Sequence, residues 1–379
     1  MIKGFKIRLY PDKEQEELIW KHIGASRFIW NYMLDYQQNN YNNGGKYIPK
    51  FGMCKLITPL KRIGEYKWLN EISNATLQGV CADLNEAYKR FFKGSGFPKY
   101  KSRKRSKPAF PIRCDCIYFF NGCVTIQKIG KVKYKSDFKI PNGKGHKYSN
   151  VRLSCVNGKY ILSFGMQCES QALKLSDKPM GIDLGIKELA VVAYGEKQIV
   201  FHNINKSRKM RLLKKQLRHI QRSICRKYEA SKHNNGGKYF KTGNIRREED
   251  RLRKIYARIN NIHLNYIHQT THKLISMLPM SVTMEDLNVS GMMKNKHLSK
   301  YIKEQCFFEF IRQMRYKCEW SGIPFQQADR FYPSSKTCSC CGAIKSDLKL
   351  SDRLYVCPEC GLSIDRDYNA AINLSKYIG

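Results

Sequence analysis

The chain is poor in acid. Against 69 Lys and Arg, its 379 residues carry only 31 Asp and Glu, a formal net charge of +38. Self-repulsion on that scale is tolerated mainly where a polyanion neutralises it, which argues for nucleic acid as the partner. Long hydrophobic runs are also missing. Runs such as 189–194 fall far short of the roughly 20 residues that span a bilayer. Residues 1–10 alternate basic and apolar side chains, with no signal-peptide core. These absences predict a soluble intracellular protein that does not engage a membrane. Complete disulfide pairing is excluded by arithmetic, because the fifteen cysteines are odd in number. Cys54, Cys81, Cys155, Cys168 and Cys306 lie singly in apolar stretches and read as small buried residues. Apolar residues, at 42%, and aromatics, at 12%, suffice for real cores, and the length suits two or three domains.

Residues 2–10 alternate at period two and read as a strand, which Pro11-Asp12 ends. Asp12 and Gln15 have the spacing of a capping box and open a helix through Leu18, Ile19 and Ile23. A second helix is expected around 28–36, an Asn/Gly-rich loop over 39–46, and a helix over 74–92 with Leu77, Val80, Leu84 and Tyr88 on one face. Residues 117–168 read as strands broken by turns. Within them, 151–155 and 160–164 flank the hairpin signal Asn157-Gly158, so a β domain is expected over about 108–175.

The positive charge falls in two blocks. Residues 89–107 hold nine Lys and Arg and no acid, interleaved with Phe91, Phe92, Phe97 and Tyr100. Stacking surfaces beside phosphate-binding charges suit nucleic acid. Lys89, Arg90, Lys99, Tyr100, Lys101, Arg103, Lys104 and Arg105 are the predicted contacts, with an ordinary surface loop as the alternative. Residues 206–258 hold nineteen Lys and Arg against four acids. Their narrow apolar stripes, Leu213, Leu217, Ile220, Ile224 and then Leu252, Ile255, Ile259, Ile262, Tyr266, flank Gly236-Gly237 and predict an antiparallel helical hairpin. Lys214, Arg218 and Arg222 on its basic side are predicted to meet the nucleic-acid backbone. A merely solvated face is the alternative.

Three acidic segments could carry chemistry. Gly181-Ile182-Asp183-Leu184-Gly185-Ile186 reads as strand, tight turn and second strand, which sets Asp183 in apolar surroundings where a lone carboxylate is costly. It either bonds locally at the turn or holds a cation. Residues 281–287 form a strand ending in Glu285-Asp286, whose alternation puts Thr283 and Glu285 on one face and Met284 and Asp286 on the other. In Asp365-Arg366-Asp367-Tyr368-Asn369-Ala370-Ala371, an acid precedes a short helix, and Asp367 would otherwise serve as its N-cap. If the fold gathered three such acids, two Mg²⁺ ions between them would suit phosphodiester hydrolysis.

Cys338-x-x-Cys341 and Cys357-x-x-Cys360, fifteen residues apart and each followed by glycine, match a four-thiolate zinc site. With all four positions filled by protein, such a zinc is structural. Cys340 is a spare.

In this order the motifs resemble the split RuvC nuclease domain of TnpB proteins, transposon-encoded RNA-guided DNA endonucleases akin to the ancestors of type V CRISPR effectors. Phe5-Lys6-Ile7-Arg8-Leu9-Tyr10-Pro11 resembles the family's opening, Gly96-Phe97-Pro98-Lys99-Tyr100-Lys101 its basic segment, and Phe331-Tyr332-Pro333-Ser334-Ser335-Lys336-Thr337-Cys338 the approach to its zinc ribbon. The resemblance implies catalytic, magnesium-holding roles for Asp183, Glu285 and Asp367, with Asp365 the less favoured neighbour and Mn²⁺ a substitute for Mg²⁺. It implies an α+β multidomain chain. The first strand (1–10) and residues 108–175 make a β wedge around a helical recognition insert (11–107). An RNase H-like RuvC domain follows (178–330), then a zinc ribbon (331–364) and a last RuvC segment (365–379). The implied partners are a guide RNA and double-stranded DNA bearing a short adjacent motif, in a prokaryotic, nucleoid-associated cytosolic setting. A monomer is expected, with the oligomeric state left open. A nuclease-inactive RNA-guided regulator and a guide-independent RuvC-type nuclease are the competing readings. No tyrosine or serine recombinase constellation is present.

Overall fold

The computed structural model of the chain describes residues 1–138, 140–141, 148–169, 173–349 and 352–378. It divides into two compact units, Met1–Glu169 and Ser170–Gly379.

The first unit opens with β1 (Ile2–Tyr10), whose Ile7 and Leu9 are buried while the intervening basic residues face out, as period-two patterning requires. Helix α1 (Lys13–Asn42) starts at the capping box: Gln15 N donates to Asp12 Oδ1 at 2.8 Å, and Asp12 N donates to Gln15 Oε1 at 3.2 Å. The two helices expected over this stretch are one. The buried stripe Ile19, Ile23, Ile29, Met33, Leu34 keeps its phase across Gly24-Ala25-Ser26, and a single interior glycine costs only about 1 kcal/mol. The expected loop over 39–46 shrinks because α1 runs on to Asn42. Asn40 then closes the turn, donating to Lys46 O at 2.7 Å. Helix α2 (Lys50–Leu60) and a 3₁₀ helix (Gly64–Glu71) follow, and α3 (Asn74–Phe92) buries Leu77, Val80, Leu84 and Tyr88 against them.

Strands β2 (Ala109–Pro111), β3 (Ile117–Phe120), β4 (Cys123–Ile126), β5 (Gly130–Lys135), β6 (Tyr148–Val156) and β7 (Lys159–Gln167) complete a seven-stranded sheet of order β2-β6-β7-β1-β5-β4-β3. The chain's first strand therefore sits inside the sheet, antiparallel to β5 and β7. Asn157 and Gly158, both at positive φ, make the β6–β7 turn.

The second unit begins with β8 (Met180–Leu184), β9 (Glu188–Tyr194) and β10 (Lys197–His202), an antiparallel meander. Helices α4 (Arg208–Asn234) and α5 (Gly243–Ile275) form an antiparallel hairpin. Gln221 donates to the Tyr256 hydroxyl at 2.8 Å, and the Tyr228 hydroxyl donates to Glu249 at 2.7 Å. The chain then returns through β11 (Val282–Glu285), the short α6 (Val289–Met292) and α7 (Ser299–Gln305), α8 (Phe307–Ser321) and β12 (Phe325–Ala328). The sheet order is β10-β9-β8-β11-β12, and β8, β11 and β12 run parallel. Met180, Ile182, Leu184, Val192, Val282 and Met284 point to one face, against Ile267 and Leu274 of α5 and Phe307 and Phe310 of α8. Last come β13 (Leu354–Val356), β14 (Ser363–Asp365) and α9 (Arg366–Ser375). Helix α9 covers the other face, its Ala371 packed on Val191 and Ala193.

Among the single cysteines, Cys81 and Cys155 are buried as expected, whereas Cys54, Cys168 and Cys306 are only partly so. Among the described residues no helix is long and apolar enough to cross a membrane.

Candidate functional site

The parallel pairing of β8 with β11 sets the register of the site. Val282 lies opposite Met180, Thr283 opposite Gly181 and Met284 opposite Ile182. One step further along both strands come Glu285 and Asp183. Because alternate residues share a face, Gly181, Asp183, Thr283 and Glu285 all point away from the α5–α8 core and towards α9. Gly181 is where that helix touches the sheet. A Cβ there would overlap the Ala371 carbonyl oxygen and the Ser375 amide nitrogen, so only glycine permits this approach. From that contact, Asp183 lies two residues along the strand and Asp367 four residues back along the helix. Both steps cover about 6 Å. The third acid thus joins the other two from a segment 184 positions beyond Asp183 and 82 beyond Glu285.

Electrostatics follow from this placement. Asp183 is partly accessible to solvent, yet surrounding protein pushes its carboxyl well above the usual aspartate range, with Glu285, Asp367 and Asp365 adding to the rise and Arg366 opposing it. Among the described residues no donor hydrogen-bonds this carboxylate. Burial raises Glu285 as well. There the Ser334 hydroxyl, which donates to Glu285 Oε1, pulls the other way, while Asp367 adds to the rise and Arg366 opposes it. Acids that raise one another in this way, only partly offset by arginine, suit a cation. Asp367 is flanked by Arg366, whose Nη2 donates to its Oδ1 at 3.1 Å, and by Arg353 at 4.0 Å.

The neighbouring acids have other employment. Asp365, not Asp367, caps α9: its Oδ1 accepts from the amides of Asp367 and Tyr368 at 3.0 and 3.1 Å. The capping role considered for Asp367 is therefore taken by the residue two places earlier, which leaves the Asp367 carboxylate to the site. Asp286 points to the opposite side and accepts from Arg330 at 2.6 Å.

Four thiols meet beside this site. Sγ atoms of Cys338, Cys341, Cys357 and Cys360 all lie within 4.8 Å of one another, with Cys338–Cys360 at 3.6 Å and Cys341–Cys357 at 3.5 Å. Tetrahedral zinc with bonds of about 2.3 Å needs sulfur separations just under 4 Å, so the cluster fits zinc. The two knuckles repeat each other. Cys338 N donates to Ala343 O and Cys357 N to Leu362 O, while Gly342 and Gly361 take positive φ. The Cys360 amide, donating to Cys357 Sγ at 3.5 Å, draws that thiol down to about 6. Cys340 is exposed and outside the cluster.

The ribbon is tied to the carboxylates through α9. Asn369 and Asn373, one turn apart, donate to Thr337 O at 2.7 Å each, and Asn373 also donates to Ser334 O at 2.7 Å. Ser334, which steadies Glu285, escaped the sequence reading because a lone serine ahead of a cysteine pair carries no periodic signal. Gln305 escaped for the same reason. It is 3% exposed and donates to Gly185 O at 3.1 Å and Ile186 O at 2.8 Å, clamping the turn that follows Asp183.

The basic candidates divide in two. Arg90, Lys99, Arg103, Lys104, Arg105, Arg218 and Arg222 are exposed, and Lys89 is exposed beside Glu86 at 2.9 Å. Tyr100 is exposed too, but its hydroxyl donates to Gln38 at 2.7 Å. Lys101 instead lies 3.5 Å over the Trp30 ring, and burial lowers it to about 8. Lys214 is committed to Glu304 at 2.7 Å. Neither offers the free charge that a backbone contact would use.

Comparison with known proteins follows these elements. Residues 1–46 match a family model described as a helix-turn-helix domain, 163–296 one described as a probable transposase, and 307–374 the Cas12f1-like TNB domain. In this chain, residues 1–46 hold a strand and one uninterrupted helix. A Streptomyces pristinaespiralis protein named "Putative RNA-guided DNA endonuclease" is 27% identical over 98% of this chain and 88% of its own. An Escherichia coli K12 protein of the same description, InsQ, is 28% identical over 98% and 91%. Among solved structures, Cas12f1 in a complex with sgRNA and target DNA shares the fold at 12% identity, with a TM-score of 0.60 over 99% of this chain and 98% of the other. Along its whole length the chain is thus similar to proteins named RNA-guided DNA endonucleases, and it also matches TnpB-like proteins of a mimivirus.

Proposed function

We propose that the protein is a transposon-associated, RNA-guided DNA endonuclease that hydrolyses phosphodiester bonds at Asp183, Glu285 and Asp367. One observation carries this reading. Three acids from β8, β11 and α9 share a face and each other's field, and among the described residues the innermost has no hydrogen-bond donor. The names borne by its relatives and the fold shared with Cas12f1 support it. A meander followed by parallel strands, with helices on both faces and acids at the strand ends, suits an RNase H-like, RuvC-type domain over 178–330 and 365–379. The seven-stranded sheet with its helical insert over 11–107 suits a wedge and recognition module, and residues 331–364 suit a zinc ribbon.

Asp183, Glu285 and Asp367 would hold the magnesium. A bound pair of such ions supplies an activated water and neutralises charge at the leaving oxygen. The chain's own part is to set the ligands in place. Gly181 lets α9 close on the sheet, Ser334 orients Glu285, and Gln305 fixes the turn beyond Asp183. Cys338, Cys341, Cys357 and Cys360 would hold a structural zinc that keeps Ser334 in position. A guide RNA would select sequence by base pairing, while protein reads backbone, shape and a short adjacent motif on duplex DNA. A nuclease-inactive regulator would have no use for three intact acids.

Purified protein should carry a discrete RNA and cut matching DNA only with Mg²⁺ or Mn²⁺. The Asp183→Ala variant should bind RNA and DNA and fail to cut. Undiminished cutting by that variant would sink the assignment.

A further inference from the structure

A cavity of about 550 Å³ in the second unit is lined by Lys187, Lys206, Lys214, Lys300, Tyr301 and Arg353. Five cations face it together with one acid, Glu304, and that acid is already paired with Lys214 at 2.7 Å. Beneath them lies a satisfied amide network. Asn205 Oδ1 accepts from Lys214 at 3.1 Å and lies 2.8 Å from His263 Nε2, while its Nδ2 donates to Glu304 O at 3.0 Å. Lys206 is folded back on Lys187 O at 2.7 Å. Lys187 and Lys300 are exposed and have no acidic partner among the described residues. Tyr301 is 51% exposed.

This cavity adjoins the carboxylates by two routes. Arg353 lines it and stands 4.0 Å from Asp367. Lys187 sits in the turn after Asp183, the turn that Gln305 and Asn203 hold through the Ile186 carbonyl at 2.8 Å each. A groove of lysines with idle charge and an open tyrosine face, next to a phosphodiester-cutting site, has the chemistry of a nucleotide seat. Its volume falls in the range of sites for single small ligands.

We propose that this cavity seats one unstacked nucleotide of the DNA strand being cut, beside the phosphate held at the carboxylates. Lys187 and Lys300 take its phosphate, and Tyr301 stacks on its base. The assignment rests on the endonuclease reading for its location but makes a separate prediction about binding.

The first arm needs no cleavage. Full-length Asp183→Ala protein with its copurified RNA is irradiated with single-stranded DNA carrying 5-iododeoxyuridine, and adducts are mapped by mass spectrometry. An adduct on Tyr301 is expected, reduced about fivefold or more by Lys187→Glu with Lys300→Glu, as befits loss of two phosphate contacts. Adducts only on other residues, or a Tyr301 adduct indifferent to the double substitution, overturn the proposal. The second arm reads cutting of guide-matched DNA. Tyr301→Leu should slow it about tenfold with guided DNA binding unchanged, the loss of one stacked base, and Tyr301→Phe should keep it. Equal rates for Leu and wild type overturn the seat. If wild-type protein cuts no guided DNA at all, the endonuclease reading fails, and the crosslink still decides the cavity.

Discussion

The backbone of Gly181 lies directly against the backbone of Ala371, with no room for a side chain between β8 and α9. Both residues are buried, and the contact fixes how far Asp367 sits from Asp183. Gly181→Ala should therefore harm stability and chemistry together. Overpacking of this kind costs about 1–3 kcal/mol, which in a unit this size lowers the melting temperature by about 2–4 °C per kcal/mol. Cutting should fall further than stability, because the helix that carries one of the three acids is displaced. Thermal melts beside single-turnover cleavage check this.

Asp183→Asn should stabilise the metal-free protein while abolishing cutting. The folded-state pKa of Asp183 is raised above its unfolded value by burial and by Glu285 and Asp367. A group raised in this way contributes stability at pH below its unfolded pKa, and that contribution is lost as pH climbs through the folded value. At neutral pH the wild-type site is thus under strain that the amide relieves. Melting in EDTA should rise for the variant, and added Mg²⁺ should raise wild type alone. Equal melting of the two proteins in EDTA, or equal Mg²⁺ response, contradicts the account.

Zinc content should be about one atom per chain and should vanish in Cys357→Ser, because a four-thiolate site cannot close on three. Loss of the ribbon frees the segment that Asn369 and Asn373 hold, and with it Ser334. Cutting should drop even though the substituted thiol is not one of the three acids. Elemental analysis and cleavage on the same preparation test the link.

Arg218→Ala with Arg222→Ala should reduce the slope of log affinity against log salt by about 2, since each free guanidinium releases roughly one counterion. Lys101→Ala should leave the slope alone and lower the melting temperature, because Lys101 packs over Trp30. Nucleic-acid binding titrated across salt concentrations separates the two behaviours.

Local features were readable from the residues alone. The alternation of β1, the Asp12–Gln15 box, the Asn157-Gly158 turn, the α4–α5 stripes and the cysteine spacing each concern neighbours a few positions apart. Readings failed where distant residues decide. Continuity of α1 across Gly24 depends on a stripe packed against two separate cores. The sequestering of Lys101 and Lys214 depends on Trp30 and Glu304, far off in sequence. Which of Asp365 and Asp367 caps α9 turns on a two-residue offset that a run of alternating acids does not reveal. Gly181, Ser334 and Gln305 gain their meaning only once α9, the ribbon approach and the β8–β9 turn are in place.

The most direct test of the central claim is cleavage of a linear duplex matched to the RNA that copurifies with the protein. Wild-type complex should cut it with Mg²⁺ and leave it whole in EDTA or after RNase treatment. Asp183→Ala complex should bind the same duplex with unchanged affinity and not cut it. Cutting that persists in Asp183→Ala, or that survives removal of the RNA, would contradict the account.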